Sequence, residues 1–278
     1  MAEVDRRGAL TGFAGLVGAA VLTSCGRSVE SESFESSATS ARSTNRARTV
    51  LDAQGLPTQL RAAVSRDAEK AASIVTSLWG DQSPWPSAGA HVRAFADHDA
   101  FVAAGGDRNA RSVTATTTED GTVLISPSLL ESPSAARVFV LSHEFIHVRL
   151  GVRSAAARWV AEGAAELTAW QASGLSFAQY APTFVRRVRA GDRPHGPPSD
   201  AQLDSHAADV QRAYQHACAY SDFLLTRTDP VGYRRFVVSA VAGGRPFDDL
   251  FDDTFAATQR ALGASFAEHL AKIAAGRR

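Results

Sequence analysis

The chain has 278 residues, 45% hydrophobic and 21% charged, the balance of a globular protein that can bury a substantial core as one large domain or two small ones. Its 29 basic and 29 acidic residues cancel, which argues against a nucleic-acid binder. The two cysteines, Cys25 and Cys218, are too few for a disulfide framework.

The N-terminal stretch from Asp5 to Arg27 opens with Arg6-Arg7 and continues as an uncharged run of 19 residues, Gly8 to Gly26. Arginines followed by a short apolar segment mark a secretory signal. The small residues in Leu22-Thr23-Ser24-Cys25 resemble a bacterial lipobox. That resemblance implies cleavage after residue 24 and diacylglycerol on Cys25. A run of this length also fits an uncleaved membrane anchor. Both readings place the remainder outside the cytoplasmic membrane. The lipobox reading makes it a lipoprotein on the outer face, with the membrane as a partner through the lipid. Residues 25–50 are dominated by Ser, Thr, Glu and Arg and form a flexible tether. Cys218, in "YQHACAYSDF", reads as a buried small hydrophobe.

Residues 51–278 read as one folded domain. "PTQLRAAVSRDAEKAASIVTSLWG" (57–80) predicts an amphipathic helix ending at a glycine. "HVRAF" (91–95) predicts a short strand, and 97–106 a brief helix. "SVTATTTEDGTVLIS" (112–126) predicts a hairpin around Glu119-Asp120-Gly121, and with it a small antiparallel sheet. Two helices follow at 131–151 and 154–174. Ser132 and Pro133 open the first and Gly151 closes it; Ser154 and Gly174 bound the second. A proline-rich loop ends 181–200, and helices are predicted over 205–228, 229–244 and the C-terminal "GASFAEHLAKIAAG". A small β-containing part followed by a mainly helical half makes the fold class α+β.

The chemistry concentrates in two stretches. In "HEFIH" (143–147), His143 and His147 are four apart, so on a helix they point the same way and can hold one cation. Val138, Leu141, Phe145 and Val148 form an adjoining apolar stripe. Neutral imidazole suits zinc, and a glutamate directly after the first histidine can take a proton from water beside the metal. A catalytic zinc needs a third protein ligand and one open position. "WVAEGAAE" (159–166) supplies two carboxylates at the same i, i+4 spacing, Glu162 and Glu166, flanking Gly163. Fourteen residues lie between His147 and Glu162, and eighteen between His147 and Glu166.

His143-Glu144-x-x-His147 followed by Trp159-x-x-Glu162-Gly163 resembles the gluzincin metallopeptidases, most of all their small, membrane-associated bacterial members. The resemblance covers the order of elements over roughly residues 55–275 but specific motif only over 139–170. It implies a zincin-like fold and Zn2+ held by His143, His147 and Glu162, with Glu144 as general base and acid. The Trp-x-x-Glu-Gly context favours Glu162, whereas the gap familiar in aminopeptidase relatives favours Glu166. With Glu162 as ligand, Glu166 becomes the acceptor for a ligand histidine's other N–H. The resemblance also implies an edge strand at "VLIS" along which an extended peptide lies, and an oxyanion donor downstream. Tyr214 is the choice among Tyr214, His216 and Tyr220. The other histidines, His91, His98, His195, His206 and His269, have no partners at ligand spacing. The implied activity is zinc-dependent hydrolysis of peptide or protein substrates. The absence of a Gly-x-Met-x-Asn-like motif favours endopeptidase over aminopeptidase action. The alternative is a catalytically silent zincin-like lipoprotein acting as a binding module, against which an intact Glu144 argues. Oligomeric state is not read from the sequence.

Overall fold

The computed structural model describes residues 48–107, 114–151, 158–204 and 207–276. Cys25, the signal-like segment, nearly all of the tether, Ser154 and His206 lie outside the described residues. In chain order the elements are β1 (Thr49–Asp52), α1 (Thr58–Trp79), β2 (Ala90–Ala94), α2 (His98–Ala103), β3 (Ala115–Thr117) and β4 (Thr122–Ile125). Then come α3 (Pro127–Leu130), α4 (Ser134–Leu150), α5 (Arg158–Ser173), α6 (Phe177–Tyr180) and α7 (Pro182–Arg189). The last four are α8 (Val210–Leu225), α9 (Pro230–Ala242), α10 (Phe247–Phe255) and α11 (Gly263–Ala274). The class is α+β, as predicted.

The sheet differs from the expected antiparallel one. Its order is β1-β2-β4-β3; β1 and β2 pair in parallel, as do β2 and β4, and only β3 and β4 are antiparallel. β1 and β2 pair in parallel because α1 carries the chain from β1 back to the start of β2, which a tight hairpin cannot do. The first strand begins at Thr49, two residues ahead of the boundary that composition suggests. A second correction concerns the edge. "VLIS" is interior to the sheet, since β4 lies between β2 and β3, and Val123, Leu124 and Ile125 are all buried. A continuous apolar run belongs to a covered strand. The edge strands are β1 and, beside β4, β3 (Ala115-Thr116-Thr117).

Four helices form the centre. α4 packs on α1 and α5, and α5 packs on α8. The amphipathic stripe expected on α4 is instead burial almost all round, from Ala136 to Ile146 without a break. Ser132 does not cap this helix: Pro133 occupies the cap position, and the Ser132 hydroxyl donates to the Ser128 carbonyl at 3.0 Å. α4 is anchored at both ends by charge. Near its start, Ser134 and Arg137 both donate to the carboxylate of Asp67 on α1, at 2.5 and 2.6 Å. Near its end, the Arg149 guanidinium donates to the carbonyls of Ser83 and Gly80, stands over the Trp85 ring and is held to a pKa of about 10 by burial. Gly151, at φ 56°, then turns the chain off the helix, its N–H donating to the His147 carbonyl at 2.9 Å.

Gly163 sets the contact between α5 and α8. A Cβ there would lie 2.3 Å from Ser221 Oγ and 2.7 Å from the Ala217 carbonyl oxygen, so α8 approaches only because the side chain is missing. Trp159, one turn earlier, meets Tyr220 of α8 edge-on at 5.1 Å and Phe247 of α10 at 6.0 Å. α8 is shorter than the helix predicted over 205–228, because the chain at 207–209 is a turn. The short helices α3, α6, α7 and α10 have no counterpart among the elements predicted from sequence.

Candidate metal centre

The helical spacing of "HEFIH" does what geometry requires. His143 and His147 are one turn apart on α4, and their Nε2 atoms face each other at 3.0 Å. Glu162 of α5 closes the triangle, with Oε2 3.4 Å from His143 Nε2 and 3.4 Å from His147 Nε2. These three residues form a group that could hold a metal ion. A tetrahedral zinc ion with bonds of about 2.0–2.1 Å sets its ligand atoms about 3.3 Å apart, and the observed triangle has that size. Two imidazole nitrogens and a carboxylate oxygen are also donors that zinc accepts. Glu162 Oε2 is buried without a hydrogen-bond donor among the described residues. The donor set therefore fits a divalent cation in both chemistry and spacing.

The site lies deep. His143, Glu144, Glu162 and Glu166 are buried, and His147 is the most accessible, with 12% of its side chain exposed. Burial alone would lower the pKa of His143; the carboxylates of Glu162 and Glu166, and the charge of Glu144, overcome it and raise it to about 10. Burial alone would raise Glu162; His147 and His143 outweigh that and hold its carboxyl well below the usual carboxylate range. Glu144 moves the other way. Burial pushes its carboxyl up, partly offset by His143, His147 and the hydroxyl of Thr117. Two carboxylates on adjoining helices are thus driven in opposite directions by their surroundings.

Glu166 stands on the far side of His143. Its Oε1 lies 3.4 Å from His143 Nδ1, the nitrogen turned away from the triangle, so this carboxylate faces a histidine's second nitrogen and does not join the group. Two contacting residues escape sequence reasoning. Thr117, at the end of edge strand β3, donates its hydroxyl to Glu144 Oε2 at 2.6 Å. Tyr180, on α6, donates its hydroxyl to Glu166 Oε2. Neither contact carries a sequence signal, since the partners lie 27 and 14 residues apart on different elements.

Tyr214 is fully buried, its ring edge-on to that of His143 with centroids 6.2 Å apart. Burial, and then the charge of Glu162, push its hydroxyl well above the usual phenol value, so it stays a neutral donor. The other candidates on α8 are engaged elsewhere. His216 Nε2 meets the Gly196 carbonyl at 2.7 Å and its ring stacks on Phe184 and Phe266. Tyr220 packs between Trp159 and Phe266. His269 pairs with Asp222 at 3.1 Å. Cys218 is fully buried, as expected.

No family model matches the sequence, and no curated protein does. Among solved structures, a two-domain M1 zinc metallopeptidase, crystallised as a mutant bound to L-arginine, is similar to this chain with a TM-score of 0.43 and 18% sequence identity. The match covers 83% of this chain and 48% of that one, so the chain spans about half the length of that structure. A likeness that loose leaves the functional reading to the side chains of this protein.

Proposed function

We propose that this protein is a zinc-dependent peptidase in which His143, His147 and Glu162 hold the metal and Glu144 is the general base. The observation that carries the reading is the triangle of Nε2, Nε2 and Oε2 atoms at 3.0, 3.4 and 3.4 Å, with the Glu144 carboxyl on the same helix. When bound, zinc supplies a Lewis acid that polarises a carbonyl and acidifies water. Glu144 accepts the proton of the attacking water and delivers it to the departing amide nitrogen. Its burial suits that task by raising its proton affinity, while the Thr117 hydroxyl holds one of its oxygens. Tyr214, as a neutral phenol beside His143, donates to the developing oxyanion. The edge of β3, which ends at Thr117, is where an extended peptide would pair with the sheet, and the lack of a Gly-x-Met-x-Asn-like motif favours endopeptidase action. The lipobox-like Leu22-Thr23-Ser24-Cys25 supports a lipid-anchored protein working on the outer face of the cytoplasmic membrane.

The test uses the purified chain. Zinc is expected at about one ion per molecule, since one set of three ligands is present. Digestion of a peptide library should occur and stop on chelation. Glu144→Gln should keep the metal and abolish hydrolysis. Hydrolysis by Glu144→Gln would overturn the mechanism, and zinc uptake without any hydrolysis in the unaltered chain would favour a silent binding module.

A further inference from the structure

Behind His143, on the side away from the metal-facing nitrogen, a line of buried polar groups runs outward: His143 Nδ1, Glu166 Oε1, Glu166 Oε2, then the Tyr180 hydroxyl. Glu166 is fully buried, and a lone carboxylate in such a place is costly unless its oxygens are satisfied. Among the described residues its Oε1 faces the His143 ring alone, at 3.4 Å, while Oε2 has a full hydrogen bond from Tyr180. The carboxylate is therefore held from behind by tyrosine and left free to face the histidine.

Tyr180 is itself clamped. Its ring stacks on Phe139 of α4 at 5.9 Å and on Trp170 of α5 at 6.2 Å, so it bridges the two helices that supply the metal-facing residues. Phe177 adds an edge-on contact at 5.5 Å. The short helix α6 that carries Tyr180 is started by a reciprocal cap, with the Ser176 hydroxyl accepting from the Gln179 N–H and the Gln179 side chain accepting from the Ser176 N–H.

We propose that Tyr180 is a positioning residue for the metal centre: by pinning Glu166 Oε2 it keeps Oε1 on His143 Nδ1, which fixes the ring and the tautomer that presents Nε2 to a divalent cation. This rests on the metal site proposed above. The physical link is that a histidine donating Nδ1–H to a carboxylate has its Nε2 lone pair free for the metal. Without the tyrosine hydroxyl, the Glu166 side chain can rotate and release the ring.

A structural role alone would make Tyr180 a core aromatic whose hydroxyl merely found a partner, and a double-mutant cycle separates the two. Zinc affinity of the full chain is measured by competition with a chromogenic chelator for the unaltered protein, Tyr180→Phe, Glu166→Gln and the double variant. Cobalt(II) absorption spectra of each report the ligand field. Tyr180→Phe keeps the stacked ring and should weaken zinc binding about 10–100-fold, the range for a lost partner behind a metal ligand. It should also change the cobalt bands. In the Glu166→Gln background the same change should cost no more than about twofold further, because its route to the metal is already cut. Zinc binding by Tyr180→Phe within twofold of the unaltered chain would overturn the inference, and so would additive losses in the double variant. Should Tyr180→Phe fail to fold, Glu166→Gln alone still decides: undiminished zinc affinity there leaves Tyr180 no path to the metal. A chain that takes up no zinc at all, or takes it up equally well as His147→Ala, would overturn the metal site itself.

Discussion

Replacing Gly163 by alanine tests whether the contact between α5 and α8 holds Glu162 in place. At an open position inside a helix this change stabilises a protein by up to about 1 kcal/mol, because alanine is the better helix former. Here the sign should reverse. The new Cβ would meet Ser221 Oγ at 2.3 Å and the Ala217 carbonyl oxygen at 2.7 Å, where ordinary contact begins at 3.4 Å. The serine hydroxyl can rotate away. The carbonyl belongs to the backbone of α8, which must retreat by about 0.7 Å as a unit. Overpacking of this kind costs roughly 1–3 kcal/mol, so a net loss of about 2 kcal/mol is expected. That corresponds to a melting temperature lower by roughly 4–8 °C for a domain of this size. Glu162 is the preceding residue and Tyr214 lies one turn before Ala217 on the displaced helix, so zinc affinity should fall as well. Thermal unfolding of the metal-free and zinc-loaded protein, with chelator competition, measures both effects. Adding Ser221→Ala removes the closer contact but not the carbonyl, so it should recover no more than half of the lost stability. A Gly163→Ala protein as stable as the unaltered chain, with unchanged zinc affinity, would refute the reasoning.

Two further outcomes follow from single contacts. Thr117→Val removes the hydroxyl that donates to Glu144 Oε2 at 2.6 Å; a hydrogen bond to a charged group contributes about 1.5–3 kcal/mol, so peptide hydrolysis should fall roughly 10–100-fold with zinc content unchanged, and Thr117→Ser should restore most of it. Because this bond lowers the Glu144 pKa against the burial that raises it, its loss should also move the acidic limb of the pH–rate profile to higher pH, and an unmoved limb would sink that assignment. His216 is buried as the neutral ring, its pKa brought down to about 4 by burial. The unfolded chain takes up that proton near pH 6.5, so the fold keeps its full stability above pH 6.5 and loses it as pH falls towards 4. The loss is of the order of 3 kcal/mol. Urea unfolding at a series of pH values should show this slope in the unaltered protein and lose it in His216→Phe, which keeps the stacking on Phe184 and Phe266; an identical slope in both would assign the acid sensitivity elsewhere.

The parts of the site that share one helix could be read directly, because a helix converts spacing into distance. His143 and His147 four apart must face one way, and Glu162 and Glu166 must do likewise. The choice between those carboxylates depended on how far α5 slides along α4, which no spacing records. Thr117 and Tyr180 were invisible for the same reason: each reaches the site across a tertiary contact. The sheet was misread where local pattern is weakest. β1 is four residues at the end of a polar tether, too short for alternation to show, and the parallel pairing of β2 with β4 that places β4 inside the sheet joins strands about 30 residues apart, which no local pattern records. The buried charges, by contrast, conflict with their local context in a way that carries information. α4 and α5 are built mainly of Ala, Val, Leu and Phe at buried positions, yet Glu144, Glu162 and Glu166 are buried among them. Each of these carboxylates has lost hydration that a protein interior repays only with a well-matched partner. Glu162 is matched by two imidazoles and Glu166 by one imidazole and a phenol. Glu144 takes a hydrogen bond from Thr117 but, among the described residues, has no ion pair, and its Oε1, like Glu162 Oε2 and Glu166 Oε1, has no hydrogen-bond partner. Of the three carboxyls, the one without an imidazole at ion-pair distance among the described residues is the one proposed to exchange a proton.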